Sequence, residues 1–175
     1  MTGISRVFVI LESDMTDTNS APAPAPSFDY AKWEAERARE AELNAQVLLQ
    51  NKAVLFDVLA ATGIATVTVV FDGYGDSGQV ENIEAKASDD NVVDLPSTEI
   101  EIALVEWGVD EPLPVRLGVH DAIERLAYAF LSNTHCGWEN NDGAYGEFVF
   151  DVSDRTISLD YNERFTSSEN HGHEW

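Results

Sequence analysis

Two stretches of the chain gather side chains that could do chemistry. The first is Asp72-Gly-Tyr-Gly-Asp-Ser-Gly78, with three glycines in seven residues. Glycine reaches backbone conformations closed to other residues, and successive amides in such a run can form an anion nest. The two aspartates oppose a phosphate cradle, and the Gly-Lys-Ser/Thr ending of a nucleotide-binding loop is absent. The run is not an EF-hand: with Asp72 as the first ligand, Ser77 stands where glycine is required and Ile83 where the bidentate acid belongs. Asp72, Asp76 and Glu81 could instead form a looser oxygen site for Ca²⁺ or Mg²⁺. The bland alternative is a hairpin turn held by its own Asp and Ser side chains.

The second stretch is His135-Cys-Gly-Trp-Glu-Asn-Asn-Asp-Gly-Ala-Tyr-Gly146, set between a helical and a strand pattern. A Cys136 nucleophile would need a base and an orienting group. His135 is its sequence neighbour and points elsewhere, so His120 or His171 would have to arrive from a distance. A metal set of His135, Cys136, His171 and His173 would depend on a C-terminal tail. The preferred reading is structural: Gly137 ends a helix, Asn141 and Asp142 turn the chain, and Trp138 plugs the edge of the core. Trp138, Glu139 and Asp142 are also candidate binding residues for a partner, and Glu139 and Asp142 are the further carboxylates that a two-metal hydrolase could recruit. Such an enzyme also wants cationic help, which this part of the chain has little of.

The elements that must position these loops follow from periodicity. Asp29 or Ser27 can cap a long helix that runs from Lys32 towards Gly63. Its first half is polar nearly all round and contacts other elements only through Trp33, Leu43 and Val47, and Asn51 marks a candidate bend. Ile64–Phe71 and Gln79–Ala85 read as a hairpin with an elaborate turn at 72–78. Residues 87–97 read as a loop, and Thr98–Trp107 as a half-buried strand with Glu99 and Glu101 outward. Val119–Asn133 is an amphipathic helix. Gly146–Val152 and Thr156–Tyr161 form a second hairpin, with Phe148, Phe150, Ile157 and Leu159 inward and Glu147, Asp151, Ser158 and Asp160 outward.

The expected fold is therefore α+β: an antiparallel sheet of about five strands with helices on one face, preceded by a long N-terminal helix. Residues 27–165 form one acidic domain, and 166–175 a flexible tail. Residues 1–26 are expected to be a disordered extension that ends in the stiff Ala-Pro repeat at 21–26. The apolar run Val7–Leu11 is too short to cross a bilayer or to serve as an export signal. Met15 offers a second translation start. With one cysteine and no export signal, the cytoplasm is the expected compartment.

Charge is the strongest clue to function. The 175 residues carry 32 acids against 10 bases, a formal net charge of −22. Hydrophobic residues make up 44%, enough for a core, so the acidity does not signal wholesale disorder. Residues 53–175 hold 24 of the acids and only five bases, so the excess belongs to the folded part. Direct binding to nucleic acid or to an anionic membrane is disfavoured. Glu99, Glu101, Glu147, Asp151 and Asp160 would line the sheet face opposite the helices. Such a face suits a basic partner, and in the sharpest form imitates nucleic acid towards a DNA-binding protein. High solubility is the bland alternative.

Gly-Trp-Glu-Asn-Asn-Asp-Gly-Ala-Tyr-Gly-Glu-Phe-Val-Phe-Asp, the later Thr-Ile-Ser-Leu-Asp-Tyr-Asn-Glu-Arg and the Gly-Tyr-Gly-Asp-Ser-Gly turn together resemble a family of uncharacterised small acidic proteins of bacterial and mobile-element origin. The resemblance spans residues 64–85 and 118–170. It implies a bacterial cytoplasm and carriage by a plasmid or phage, and supplies no catalytic residues. An inhibitor of a restriction or CRISPR effector fits it. A divalent-metal phosphoester hydrolase or a Ca²⁺-binding protein is the alternative, and no cofactor beyond Ca²⁺ or Mg²⁺ is expected.

Overall fold

The computed structural model describes residues 28–106, 108–109 and 111–175. The expectations for residues 1–26, for Ser27 as a cap and for Trp107 as a strand end lie outside these residues.

Helix α1 (Tyr30–Ala61) starts at Asp29, whose side chain accepts a 3.0 Å hydrogen bond from the Lys32 amide. The chain leaves the helix through Gly63 at φ 77°. The first half is exposed except for half-buried contacts such as Trp33 and Leu43, and burial sets in at Val47. The helix does not break at Asn51. That residue is buried, and its amide donates to the Ala103 carbonyl (2.7 Å) and accepts from the Ala103 amide (2.8 Å). A polar residue inside a helix thus reads as a bend in sequence but serves as a clamp between helix and strand.

Five antiparallel strands form the main sheet. They are β1 (Ile64–Tyr74), β2 (Ser77–Ala87), β3 (Val92–Val93), β6 (Ala144–Asp151) and β7 (Thr156–Glu163), in the order β3-β2-β1-β6-β7. Helix α2 (Val119–Thr134) and α1 cover the same face of it. Phe56 of α1 meets Phe150, and Phe130 of α2 meets Phe148, each at 6.2 Å between rings. Val67, Val69 and Phe71 complete the core beneath them. The α+β fold and the strand count match the sequence expectation, but the membership of the sheet does not.

Strand β4 (Glu99–Leu104) pairs only with β5 (Leu113–Gly118), in a separate two-stranded sheet. Ile100 and Ile102 are buried, while Asn51 fastens this strand to α1. The fifth place in the main sheet goes to Val92–Val93, within the segment expected to be a loop. Glu99 and Glu101 therefore do not extend the acidic row of the main sheet, and the single face expected from sequence is corrected. Alternation places a residue in or out of a sheet, but it does not say which sheet the strand joins.

Candidate functional site

The glycine-rich run is not an elaborate turn. Strands β1 and β2 continue through it, and only Gly75 and Asp76 lie between them. Both have positive φ (63° and 67°), as the tightest hairpin connection requires. Gly73 and Gly78 face each other across the hairpin on the covered side. A Cβ at Gly73 would lie 2.7 Å from the Trp138 ring, and one at Gly78 would lie 2.3 Å from it. The two glycines exist to seat the indole. Trp138 is 8% exposed and meets Phe71 edge-on at 5.3 Å, so it is a core anchor and not a binding platform.

The two motif loops are locked to one another. The Gly75 amide donates to the Asn141 carbonyl, and the Asp76 amide to the Glu139 carbonyl. The Asp76 carboxylate accepts in return from the Asn141 amide at 3.1 Å. Gly143, at φ 68°, packs so tightly on the Gly73 carbonyl that no side chain fits. The chain beyond β7 closes the assembly. Arg164 donates to both oxygens of Asp72 (3.0 and 2.9 Å) and to the Gly73 carbonyl, with its guanidinium 4.4 Å from the Tyr145 ring centre. The hydrogen bond from Arg164 to Asp72 is the main reason its guanidinium holds its proton more tightly than usual. Asp142 accepts from the backbone and hydroxyl of Thr166.

These contacts bear on the metal reading. Asp72 is committed to Arg164, Asp76 to the facing loop, and Glu81 accepts from Gln79 at 3.1 Å. Asp72 and Glu81 share a depression of about 290 Å³, whose lining does not include Asp76. Among the described residues, the grouping of three potential ligands that does converge is His120, Asp121 and Glu124 at the start of α2. His135, Cys136, His171 and His173 do not form such a group, and the His135 ring is stacked on Tyr161 at 3.7 Å. Sequence reasoning missed Arg164, although one cation among so many acids is a signal that could have flagged it.

The outward side of the main sheet carries Asp72, Glu84, Glu147, Asp151 and Asp160. Register places Glu147 of β6 directly opposite Asp160 of β7. Two like charges in that position repel, because cross-strand neighbours sit about 5 Å apart. Both are exposed, and among the described residues neither takes part in an ion pair. On the same side, Glu84 is answered by Lys86 at 3.1 Å and Asp72 by Arg164. Asp151 is also outward, but its carboxylate holds the β6–β7 turn. The Asp154 amide and then the Ser153 hydroxyl donate to it, which keeps it ionised to lower pH than an ordinary aspartate. On the separate sheet, Glu101 faces Arg116 at 3.5 Å and Glu99 lies opposite Gly118.

Of the residues singled out by sequence, Glu147 and Asp160 are thus brought together, with Asp151 at the end of the same strand. Glu99 and Glu101 stand on another sheet, and Trp138, Glu139 and Asp142 belong to the interlocked loops. No described helix is long and apolar enough to cross a membrane. No curated protein and no solved structure matches the chain. Residues 47–175 match a family model described as a family of unknown function, and on that match the chain belongs to DUF6878.

Proposed function

We propose that this protein is a non-enzymatic binding module whose uncovered, acidic sheet face engages a basic partner. The observation that carries this reading is the Glu147–Asp160 pair. A sheet that needed only solubility could have placed an acid opposite a base or a neutral residue, and gained stability by it. Retaining two exposed acids side by side, with no covering element among the described residues, keeps a negative field available to something outside the chain. The partner class it fits best is a nucleic-acid-binding protein, whose basic surface is shaped to meet phosphate. Masking such a surface is a way to inhibit it.

The experiment is capture of partners from cell lysate on the immobilised full chain, eluted with a salt gradient and then challenged with duplex DNA. The reading expects partners that leave at moderate salt and that DNA displaces competitively. Partners retained through high salt and indifferent to DNA would contradict it. The metal-hydrolase alternative is the less favoured reading, because three of its five carboxylates, Asp72, Asp76 and Asp142, accept hydrogen bonds from Arg164, Asn141 and Thr166 within the interlocked loops.

A further inference from the structure

The two edges of the main sheet are treated differently. On one side β2 is flanked by the two-residue strand β3, and its Val80 amide is taken up by the Tyr128 hydroxyl at 2.9 Å. On the other side, among the described residues, β7 pairs with β6 alone, through eight consecutive residue pairs without a register shift. Its sequence, Thr-Ile-Ser-Leu-Asp-Tyr-Asn-Glu, has no proline and no lysine to discourage pairing. Alternate residues of such a strand turn their amides and carbonyls away from β6, towards whatever lies beyond the edge.

We propose that the free edge of β7 accepts an extended strand from the partner, one that alternates Lys or Arg with apolar residues. This inference rests on the acidic-face reading and specifies how the face is met. An added strand would lie about 4.8 Å from β7. Its outward side chains would run beside Asp160, within the screening length of about 8 Å, with Glu147 one strand further on. Its inward side chains would run beside Ile157, Leu159 and Tyr161, which are only half-buried and flank the core. From Thr156 to Tyr161 the edge thus offers acid on one side and apolar surface on the other, and Glu163 ends the apolar side with a further acid. A second copy of the chain is a poor occupant, because pairing β7 with itself adds acid to acid.

The test uses the full chain and labelled peptides about as long as β7, alternating Lys and Val, read by fluorescence anisotropy. Two isomers carry N-methyl groups on opposite sets of alternate amides. Strand addition predicts that one isomer loses affinity about tenfold or more while the other keeps it, since only one set of amides faces β7. It also predicts that a peptide of the same composition with its lysines in one block binds more weakly. Equal binding of all four peptides would overturn the edge site and leave a purely electrostatic face standing. Binding by none would overturn the edge site as well, with the acidic face still judged by salt elution of its partners. Phase-dependent binding insensitive to salt and to Glu147→Gln with Asp160→Asn would instead reject the acidic face and the basic half of this proposal. Dimerisation of the chain through β7, seen by sedimentation, would assign the edge to a second copy and refute the proposal.

Discussion

Trp138 fills the space that side chains at 73 and 78 would need, and this joins the two loops that hold the fold's one concentrated motif. Trp138→Ala should destabilise by about 3–5 kcal/mol, the range for emptying an aromatic core site. Gly78→Ala should cost about 1–3 kcal/mol through overpacking, and much less in the Trp138→Ala background, where the methyl meets a void. Urea denaturation of the two single variants and the double variant checks both figures, and additive losses would contradict the contact. Asp151 makes a pH-dependent contribution. Its ionised form is favoured by folding, so its share of stability is complete above the ordinary aspartate value of 3.8 and is lost as pH falls through the lowered native value. Acid denaturation of Asp151→Asn should therefore lack that part of the pH dependence. The burial of Trp138 was legible, because an indole between glycines after an amphipathic helix has a core to enter. The pairing of Arg164 with Asp72 was not, because 92 residues separate them and nothing local to either names its partner.

At the scale of elements, the clamp between α1 and β4 makes the clearest prediction. Asn51→Ala would remove both hydrogen bonds to Ala103 and leave its half-buried amide and carbonyl without that partner. The expected loss is about 2–4 kcal/mol, measurable by denaturant unfolding. A neutral result would show that water takes over both groups. Helix α2 was legible nearly to the residue and the β6–β7 hairpin to within two residues at each strand end, since each follows one clean period. The β1–β2 hairpin was legible in direction and not in length. Its glycines look like loop residues, yet Gly73 and Gly78 are strand residues emptied of side chains to admit a distant ring. Strand β4 was legible as a strand, with Ile100 and Ile102 inward, while its sheet was decided by a helix far away in sequence. The family match begins at Val47, where α1 first becomes buried, so the exposed first half of that helix lies outside the matched region.

At the scale of the whole molecule, the net charge of −22 was readable at once, but its useful part was not. Several acids are answered locally: Glu101 by Arg116, Glu84 by Lys86 and Asp57 by Arg155. Strand register, which composition cannot give, singles out Glu147 and Asp160 as adjacent acids without an answering base among the described residues. A stability consequence follows. Glu147→Gln with Asp160→Asn relieves a repulsion, so the double variant should be as stable as the wild type or more stable by roughly a few tenths of a kcal/mol, read as an equal or slightly higher melting temperature. A surface maintained against stability in this way should lose binding when stability is restored. The most direct measurement compares partner capture by three forms of the full chain at two salt concentrations: wild type, Glu147→Gln with Asp160→Asn, and Glu99→Gln with Glu101→Gln. The acidic-face account predicts that the first double variant loses most of its low-salt capture while folding intact, and that the second keeps nearly all of it. Equal capture by all three forms, or loss confined to the Glu99 and Glu101 variant, would contradict the account.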